Sequence, residues 1–346
     1  MSRTRLGVGF IGAGPATQAI HLPVIASLDD RARAVHVMDV DRRVAEAVAR
    51  CVGARATTDV RSVLEDPAVD IIVICSPHRF HAEQVAMAWE AGKRAVMCEK
   101  PLATTAAEAQ QLADLASRKD ALLVVGAMHV YDPAYVAATA CLADLDRPAS
   151  LVRSVIYLPS NDEFVDLATE PFDAPLPPRT AEESSLSARE ADAVRAGIMG
   201  LAIHNIPLVR KLLPTFEKVK MAQALKPWGY AVTIASGSSS AQLIGLMPGK
   251  WDPEWDFSAW GPDYELSVEF PPSYVLAGSA TARLATGEGT RVWRYSENGY
   301  QAEWRCLLDA VAGGSALPVS AQDAVDDLLY ACDLADGATE LVLEAK

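Results

Sequence analysis

The sequence predicts a two-domain α/β protein, in which a doubly wound parallel sheet comes first and a large, mainly antiparallel, open-faced sheet follows. Short apolar runs alternate with helical segments from Leu6 to about Gly126, and longer strands with period-two patterning begin after about residue 147. A length of 346 residues also exceeds what one hydrophobic core usually serves. We therefore predict domains at residues 1–130 and 131–346, and we leave open that the closing helices pack back on the first domain.

The first domain is predicted from the composition of its strand-like runs and from the residues that begin and end its helical segments. Its helical segments carry end signals, because one opens with Thr105 and Glu108 at capping-box spacing and two stop at Gly53 and Gly92. The runs between them are short, continuous and rich in valine and isoleucine, as strands buried on both faces of a parallel sheet should be. These runs are LGVGFI, AVHVM, DIIVIC, RAVMC and LLVVG.

The second domain shows strand alternation instead. In YELSVEF the apolar side chains Tyr264, Leu266, Val268 and Phe270 share one face, so we expect a sheet with one face left for solvent or a partner. Residues 159–188 contain the proline-rich run PFDAPLPPRTAEESS, which is too polar for a core element. A long connection of this kind is a lid, an arm to a neighbouring subunit or a mobile insertion, and the sequence does not choose among them.

Charge and composition exclude several classes of protein. The formal net charge of −14 and the pI near 4.9 oppose a nucleic-acid backbone or an anionic membrane surface, so neither is an expected partner. The first residues do not form a secretory signal, and no apolar run reaches the length of a membrane span. Six cysteines lack any paired spacing, which predicts free thiols, no metal site and a cytoplasmic protein.

A glycine turn follows the first strand in GFIGAGPAT. Gly12 permits the tight turn, and Gly14 lets the backbone approach a pyrophosphate that sits at the start of a helix near Ala16. Pro15 and Ala16 are therefore expected to border the cofactor as well. The third fingerprint position is Thr17 rather than glycine or alanine, which loosens the expected contact between helix and strand.

Asp39 ends the second strand, where a carboxylate accepts hydrogen bonds from the adenosine ribose of NAD and repels the 2′-phosphate of NADP. We therefore expect NAD, and the nearby Arg42 and Arg43 keep NADP open as the alternative cofactor.

A second group of cofactor-site candidates lies in ICSPHRFHAEQ. Ligands of open parallel sheets bind beyond the carboxyl ends of the strands, so Ser76, Pro77 and His78 should border the cofactor. His81 has two open roles, as part of this site or as a packed helix histidine.

Four stretches resemble the Gfo/Idh/MocA family of oxidoreductases, the relatives of glucose-fructose oxidoreductase and inositol dehydrogenase. They are GFIGAGPATQAIHLP, ICSPHRFHAEQVAMAWEAGKRAVMCEKPLA, GAMHVYDPAY and VSAQDAVDDLLYACDLADGA. The resemblance implies a Rossmann domain joined to an α/β domain whose open sheet forms a dimer face. We therefore expect a homodimer or homotetramer through that sheet.

The family resemblance implies roles for the string Glu99, Lys100 and Pro101. Lys100 would lie beside the nicotinamide and the substrate carbinol, where a cation stabilises a developing alkoxide and burial lowers the pKa of the amine. The bond before Pro101 would be cis. Glu99 would pair with the lysine or contact the ribose side of the cofactor. Lys100 could also be an ordinary surface lysine.

The second domain departs from the family pattern at its expected catalytic helix. His204 is present in GIMGLAIHNIPLVRKLLP, but Gly200 and Pro207 stand where the family carries acids. Loss of an acid one turn before His204 removes the group that would orient its ring. Pro207 should bend or restart the helix, with Asn205 as a cap or a substrate contact. His204 is then either the second proton-transfer group or a core histidine.

A second departure is His129, which stands with its neighbour where the family commonly has arginines. Two roles stay open for the residue, lining the substrate site or capping the sixth strand, and the missing arginine argues against a strongly anionic substrate. The expected activity is hydride transfer between NAD(P) and a carbinol or carbonyl carbon of a sugar, cyclitol or related polyol. Two alternatives stay open: a non-catalytic NAD(H)-binding protein and an NAD-retaining glycosidase.

Overall fold

The computed structural model describes residues 5–143, 148–172, 185–247, 253–272 and 274–345. The chain forms two compact units. The first is drawn from Met1–Gly126, Val165–Pro178 and Glu303–Leu328, and the second from Ala127–Phe164, Arg179–Ala302 and Leu329–Lys346.

The first unit contains a six-stranded sheet in which every pair of neighbouring strands is parallel, with the order β3-β2-β1-β4-β5-β6. This order is that of the doubly wound dinucleotide-binding fold. Its strands are β1 Leu6–Ile11, β2 Ala32–Met38, β3 Arg55–Thr57, β4 Ile71–Ile74, β5 Ala95–Cys98 and β6 Leu122–Val125. Five match the predicted apolar runs. The sixth, β3, is a three-residue edge strand without buried residues and so has no apolar run to reveal it.

Helices connect these strands, and the predicted end signals hold. Thr105 and Glu108 form the capping box, and Gly53 ends its helix in the left-handed region at φ 67°. The helices are α1 Leu22–Ser27, α2 Arg42–Val52, α3 Val60–Leu64, α4 His81–Glu90 and α5 Ala106–Lys119.

The second unit contains an eight-stranded mixed sheet with the order β14-β13-β12-β11-β7-β10-β9-β8. The central β7 pairs in parallel with β10, and the remaining neighbours are antiparallel, which confirms the predicted fold class. Its strands are β7 Leu151–Tyr157, β8 Lys218–Leu225, β9 Gly229–Ser236, β10 Ser239–Leu246, β11 Glu254–Trp260, β12 Tyr264–Glu269, β13 Thr281–Thr286 and β14 Gly289–Trp293.

Helices cover one face of this sheet. Two of them, α7 and α9, pack on β13 and on β8 and β9 respectively. The helices after residue 126 are α6 Met128–Tyr131, α7 Pro133–Ala143, α8 Asn161–Ala168, α9 Leu186–Gly200, α10 Ile206–Leu212, α11 Gly299–Val311 and α12 Ala321–Glu344. The alternation predicted for β12 is observed, because Tyr264, Leu266 and Val268 are buried while Glu265 and Glu269 are exposed. Oligomerisation through the open face stays a prediction.

Part of residues 159–188 differs from the expected irregular connection. The helix α8 occupies Asn161–Ala168 and buries the neighbouring apolar side chains Phe164 and Val165, so this part of the segment is a packed element. The proline-rich run falls mainly at residues 173–184, which lie outside the described residues. None of the helices in the described parts of the chain is long and apolar enough to cross a membrane. The cellular location stays a prediction.

Asp132 ties two elements of the second unit together. Its Oδ1 accepts hydrogen bonds from the backbone N–H groups of Ala134 and Tyr135 at the start of α7, at 2.9 and 3.2 Å. Its Oδ2 accepts from the N–H of Ala280, just before β13, at 2.8 Å. Burial raises the pKa of this carboxyl group against the effect of its three donors. The fold retains it because it satisfies three backbone groups at once.

We predict that Asp132→Ala lowers the free energy of unfolding by about 2–4 kcal/mol, because it removes a helix cap and leaves buried N–H groups without their acceptor. Urea denaturation measures the change. Asp132→Asn retains one acceptor oxygen and should lose less. An Ala variant as stable as the parent protein would contradict this role.

Candidate functional site

The turn after β1 requires glycine at position 12. Gly12 has φ +95°, and a Cβ added there would lie 2.6 Å from the carbonyl oxygen of Cys75, which directly follows β4. The Gly12 N–H donates to the Met38 carbonyl at the end of β2. The turn is therefore packed against the carboxyl ends of both neighbouring strands, as the glycine fingerprint predicts.

Thr17 at the third fingerprint position has its own role in this turn. Its side chain is fully buried, and its hydroxyl donates to the Gly12 carbonyl at 2.7 Å. The expectation that threonine loosens the contact is therefore replaced by a direct bond that holds the turn. Pro15 and Ala16 are already helical, and a π-helical stretch follows at Thr17–His21.

Gly14 faces open space, because a Cβ added there meets no heavy atom within 4 Å. Asp39 lies beside the same turn. Its Oδ2 accepts from the Ala13 N–H and its Oδ1 from the Asp41 N–H, both at 2.9 Å. A glycine that leaves room for close approach, next to a carboxylate fixed at the end of β2, fits a dinucleotide with an unmodified ribose.

The two arginines after β2 are engaged with neighbouring acids. Arg43 forms a two-point contact with the Asp41 carboxylate, and its hydrogen bonds lower the pKa of Asp41 to about 2. Arg42 approaches Glu46 at 3.7 Å across one helical turn. Both ion pairs are exposed. A phosphate that binds either arginine would have to displace the carboxylate that contacts it.

The residues after β4 form a second turn at the same sheet edge. Ser76 donates from its hydroxyl to Gln84 Oε1 at 2.6 Å. His81 is fully buried, and its ring nitrogens each lie 2.8 Å from a carbonyl oxygen, those of Ser76 and Pro101. The ring therefore joins the turn after β4 to the turn after β5. Pro77 and His78 are exposed beside it.

Lys100 stands at the carboxyl end of β5. Burial lowers the pKa of its amine, while the carboxylate of Glu99 acts in the opposite direction. Burial and the charge of Lys100 also lower the pKa of His78, which places the two side chains within electrostatic reach. The Lys100–Pro101 peptide bond is cis, as the family resemblance implies. A lysine with a lowered pKa at this edge is suited to proton exchange.

The second unit holds the remaining candidates in a polar cluster. Asn205 is fully buried, and its Oδ1 accepts from the indole N–H of Trp255 at 3.2 Å and from Nδ1 of His129 at 2.8 Å. Its amide donates to the Ser154 hydroxyl at 2.8 Å. Because a tryptophan only donates, the amide orientation is fixed and His129 must carry its proton on Nδ1.

His129 is held in the cluster by packing as well. Its ring stacks on Phe270 with centroids 3.7 Å apart, and burial lowers its pKa to about 3, so the ring is neutral. The roles of His129 and Asn205 as substrate contacts stay predictions. Asn205 does occupy the N-cap position of α10, as suggested, but its side chain makes no capping bond.

His204 is half-buried next to this cluster, with its ring centroid 5.2 Å from that of Trp255 and 6.2 Å from that of His129. The chain does restart here: α9 ends at Gly200, a 3-10 turn spans Ala202–His204, and Pro207 lies in the first turn of α10. Proline is favourable at that position because the first N–H groups of a helix have no partner.

Sequence reasoning missed three residues near Glu99 in the first unit. His21 contacts Glu99, Trp304 contacts His21, and Glu303 is fully buried. His21 lies in the stretch GFIGAGPATQAIHLP, but nothing in that stretch marks it. Trp304 lies in α11, far from His21 in the sequence. Among the described residues, no group of three or more histidine, cysteine or acidic side chains is arranged to hold a metal ion.

The strand order, the glycine turn and Asp39 together define a dinucleotide-binding domain of the oxidoreductase type. Residues 6–127 match the model of one such family, GFO_IDH_MocA, described as an oxidoreductase family with an NAD-binding Rossmann fold. This match confirms the resemblance to the Gfo/Idh/MocA family that the motifs indicate, and it lies within residues 6–127.

Individual relatives extend this comparison. Inositol 2-dehydrogenase of Paracoccus denitrificans (strain Pd 1222) is 38% identical over 152 residues, which are 43% of this chain and 45% of the relative. D-glucoside 3-dehydrogenase of Escherichia coli (strain K12) is 35% identical over 130 residues, 37% of this chain and 36% of the relative. The chain thus matches less than half the length of these curated relatives.

One solved structure aligns with nearly the whole chain, and so with both units. GenD2 from gentamicin A biosynthesis, in complex with NAD, aligns over 98% of this chain and 96% of its own, with a TM-score of 0.73 and 21% identity. The similarity shows that the fold, including the large mixed sheet, is shared.

We predict opposite consequences for two alanine substitutions in the glycine turn. Gly12→Ala should lower the free energy of unfolding of the cofactor-free protein by at least about 1–3 kcal/mol, because the new Cβ meets the Cys75 carbonyl at a positive φ. Gly14→Ala should leave that stability unchanged and weaken NADH binding roughly tenfold, about 1.4 kcal/mol, because its Cβ occupies the space left for the ligand.

Thermal denaturation and fluorescence titration with NADH separate the two effects. Equal NADH affinity in Gly14→Ala and the parent protein would contradict the placement of the cofactor at this turn.

Proposed function

We propose that the protein is an NAD-dependent oxidoreductase that transfers a hydride between nicotinamide and a CH–OH carbon of a sugar, cyclitol or related polyol. The observation that carries the proposal is Lys100, a half-buried lysine at the carboxyl edge of the same sheet that holds the glycine turn. In open parallel sheets, this edge is where ligands bind. An amine whose pKa is lowered by burial can exchange a proton there at moderate pH.

The proposed chemistry assigns the proton to Lys100. NAD, when bound, supplies the acceptor for the hydride that leaves the carbinol carbon. The hydroxyl proton passes to the neutral amine of Lys100 as the carbonyl forms, and the resulting ammonium returns it in the reverse direction. As a cation, Lys100 also stabilises the alkoxide that develops on the substrate oxygen in that reverse direction.

His204 is proposed as a second proton-transfer group, with Asn205 and His129 as substrate contacts. Its support is weaker than that of Lys100, because the position one turn before it is Gly200 rather than an acid. Trp255 provides an aromatic edge against the ring at a centroid distance of 5.2 Å. Inositol and D-glucoside dehydrogenases among the relatives support a polyol or sugar substrate.

We predict that the purified protein forms NADH from NAD with at least one member of a panel of inositols, free sugars, glycosides and nucleotide sugars. Lys100→Met should reduce kcat by at least about 100-fold, the usual contribution of general acid–base catalysis. Lys119→Met, the same change at an exposed lysine that ends α5, is the matched control and should keep full activity.

The pH profile adds a second readout. Oxidation needs the neutral amine, so kcat should rise with pH through an apparent pKa below the ordinary lysine value of about 10.4. His204→Ala distinguishes the two assignments for the histidine, because activity lost only in Lys100→Met leaves His204 as a packing residue.

Two other activities are separate outcomes of the same experiment. Intact NADH binding without hydride transfer to any substrate would favour a non-catalytic NAD(H)-binding protein, as Gly200 and Pro207 at the usual acid positions suggest. Release of a chromogenic phenol from aryl glycosides without net NADH would favour an NAD-retaining glycosidase.

We propose NAD rather than NADP as the cofactor because the Asp39 carboxylate is fixed at the turn and Arg42 and Arg43 are paired with acids. The parent protein should therefore bind NADH at least about tenfold more tightly than NADPH, a difference of about 1.4 kcal/mol. Asp41→Asn removes the charge that holds Arg43 and should strengthen NADPH binding. Separate titrations with the two nucleotides test this, and tighter binding of NADPH by the parent protein would refute the role of Asp39.

A further inference from the structure

A buried chain of hydrogen bonds ends at the residue next to Lys100. The indole N–H of Trp304 donates to Nδ1 of His21 at 3.1 Å, and Nε2 of His21 lies 3.1 Å from Oε1 of Glu99. The side chains of Trp304 and His21 are fully buried, and that of Glu99 is 14% exposed. All of these residues belong to the first unit.

The chemistry of tryptophan fixes the protonation state of the ring between them. An indole N–H can only donate, so Nδ1 of His21 must present a lone pair to Trp304. The single proton of a neutral ring then lies on Nε2, where it is donated to the Glu99 carboxylate. A histidine whose tautomer is set by its second hydrogen bond behaves as an oriented donor.

Two influences act on His21 in opposite directions. Burial opposes a charge on the ring, but the nearby Cys75 and Glu99 groups favour one and raise the pKa of His21. An imidazolium would place its Nδ1–H head to head with the indole N–H of Trp304, with the nitrogens 3.1 Å apart. The raised pKa favours the imidazolium, but an imidazolium offers no acceptor to the indole N–H, so the hydrogen-bond geometry favours the neutral tautomer over the charged ring.

Glu99 is also confined on its other sides. Its Oε2 accepts from the Lys100 backbone N–H at 3.3 Å. A Cβ added at Gly126 would lie 3.0 Å from the carboxyl carbon of Glu99, so the side chain fills the space above a glycine at the end of β6. Burial raises the pKa of Glu99, but the bond from His21 and the charge of Lys100 outweigh it, so the group stays ionised.

We propose that His21 and Trp304 are positioning residues that hold the Glu99 carboxylate, as an anion, in a fixed place beside Lys100. A fixed negative charge favours the ammonium form of Lys100, against the burial that disfavours it. The chain would thus set the pH at which Lys100 becomes the neutral amine needed for oxidation. That consequence rests on the function proposed above.

The other titratable groups near Glu99 and Lys100 do not supply the negative charge that acts on Lys100. Burial and the charge of Glu99 raise the pKa of the Glu303 carboxyl well above its ordinary value, so Glu303 is protonated. Burial, Cys75 and Glu99 likewise raise the pKa of the Cys98 thiol. The pKa of His78, which faces Lys100, is lowered, so this ring is neutral near pH 7. Cys75 remains as a thiol neighbour of His21.

The test begins with the tautomer, which does not depend on turnover. The chain has six histidines, so the full-length protein labelled with ¹⁵N in histidine gives few ring signals, and His21→Gln assigns those of His21. The expected spectrum shows His21 protonated on Nε2 alone and unchanged between about pH 6 and 9. In Trp304→Phe, which keeps the aromatic packing but removes the donor, His21 should begin to titrate. A parent protein in which Nδ1 of His21 carries a proton would overturn the proposal.

Kinetics then test the effect on Lys100. His21→Leu removes the donor that favours ionised Glu99 and fixes its position, so the rise of kcat with pH should shift to lower pH, by up to roughly one unit where the effect of the nearby charge is lost. His21→Gln retains an amide donor and should restore most of the parent profile, with KM for the substrate little changed. A purely structural role would lower activity in both variants without moving the profile, and that result would also overturn the proposal.

The two arms separate the possible failures. If no substrate is oxidised, the proposed function fails while the NMR titration still decides whether His21 is the oriented donor. Correct tautomers with unchanged pH profiles would refute the link to Lys100 and leave the hydride-transfer activity standing.

Discussion

The backbone turn at Gly12 lies against the carbonyl group of Cys75, and the arrangement of the first unit depends on this close contact. No side chain fits between them, because a Cβ would stand 2.6 Å from the carbonyl oxygen. The ends of β1 and β4 can therefore meet, and the turn after β4 comes next to the glycine turn. His81 joins that second turn to the carbonyl of Pro101. The turn after β5, which contains Lys100, is thus joined to the glycine turn through the turn after β4 and the His81 ring.

The carboxyl edge of this sheet gathers ionisable groups in a buried environment. Desolvation penalises every charge there, so each group that stays charged must have partners. Glu99 has a histidine donor, a backbone N–H and the lysine charge. Glu303 lacks hydrogen-bond partners for both carboxyl oxygens and is held neutral by burial. Two glutamates near each other thus take opposite forms, and the difference is set by hydrogen bonds rather than by residue type.

The sequence allowed the architecture to be predicted because its signals are local. Valine-rich runs, a capping box, glycine ends and period-two alternation each depend on neighbouring residues, and the strands and helices they indicate are observed. The cis bond before Pro101, which the family resemblance implied, is likewise observed, while the role of the string as a site stays a prediction. Short elements with weak patterns, such as β3 and α8, could not be predicted in the same way.

Contacts between distant parts of the chain gave no sequence signal. His21 and Trp304 are 283 positions apart, and His129 and Asn205 are 76 apart. Nothing near His21 indicates that an indole will fix its tautomer. Asn205 was expected as a helix cap from its place before Pro207, yet a tryptophan and a histidine compete for its oxygen in the folded unit. In both cases the partner, rather than the residue itself, determines the role.

Gly200 stands where the family carries an acid, and the packing around it helps to explain the difference. At Gly197 a Cβ would lie 2.4 Å from the ring of Tyr230, so this glycine is required by its neighbour. At Gly200 a Cβ meets nothing within 4 Å, so packing does not exclude a larger residue. Gly200 is, however, the last residue of α9, where a carboxylate is disfavoured by the negative end of the helix dipole. Once the helix ends before His204 and restarts at Pro207, an acid at 200 no longer lies one regular helical turn from the histidine. The break in the helix and the glycine at position 200 therefore agree with each other.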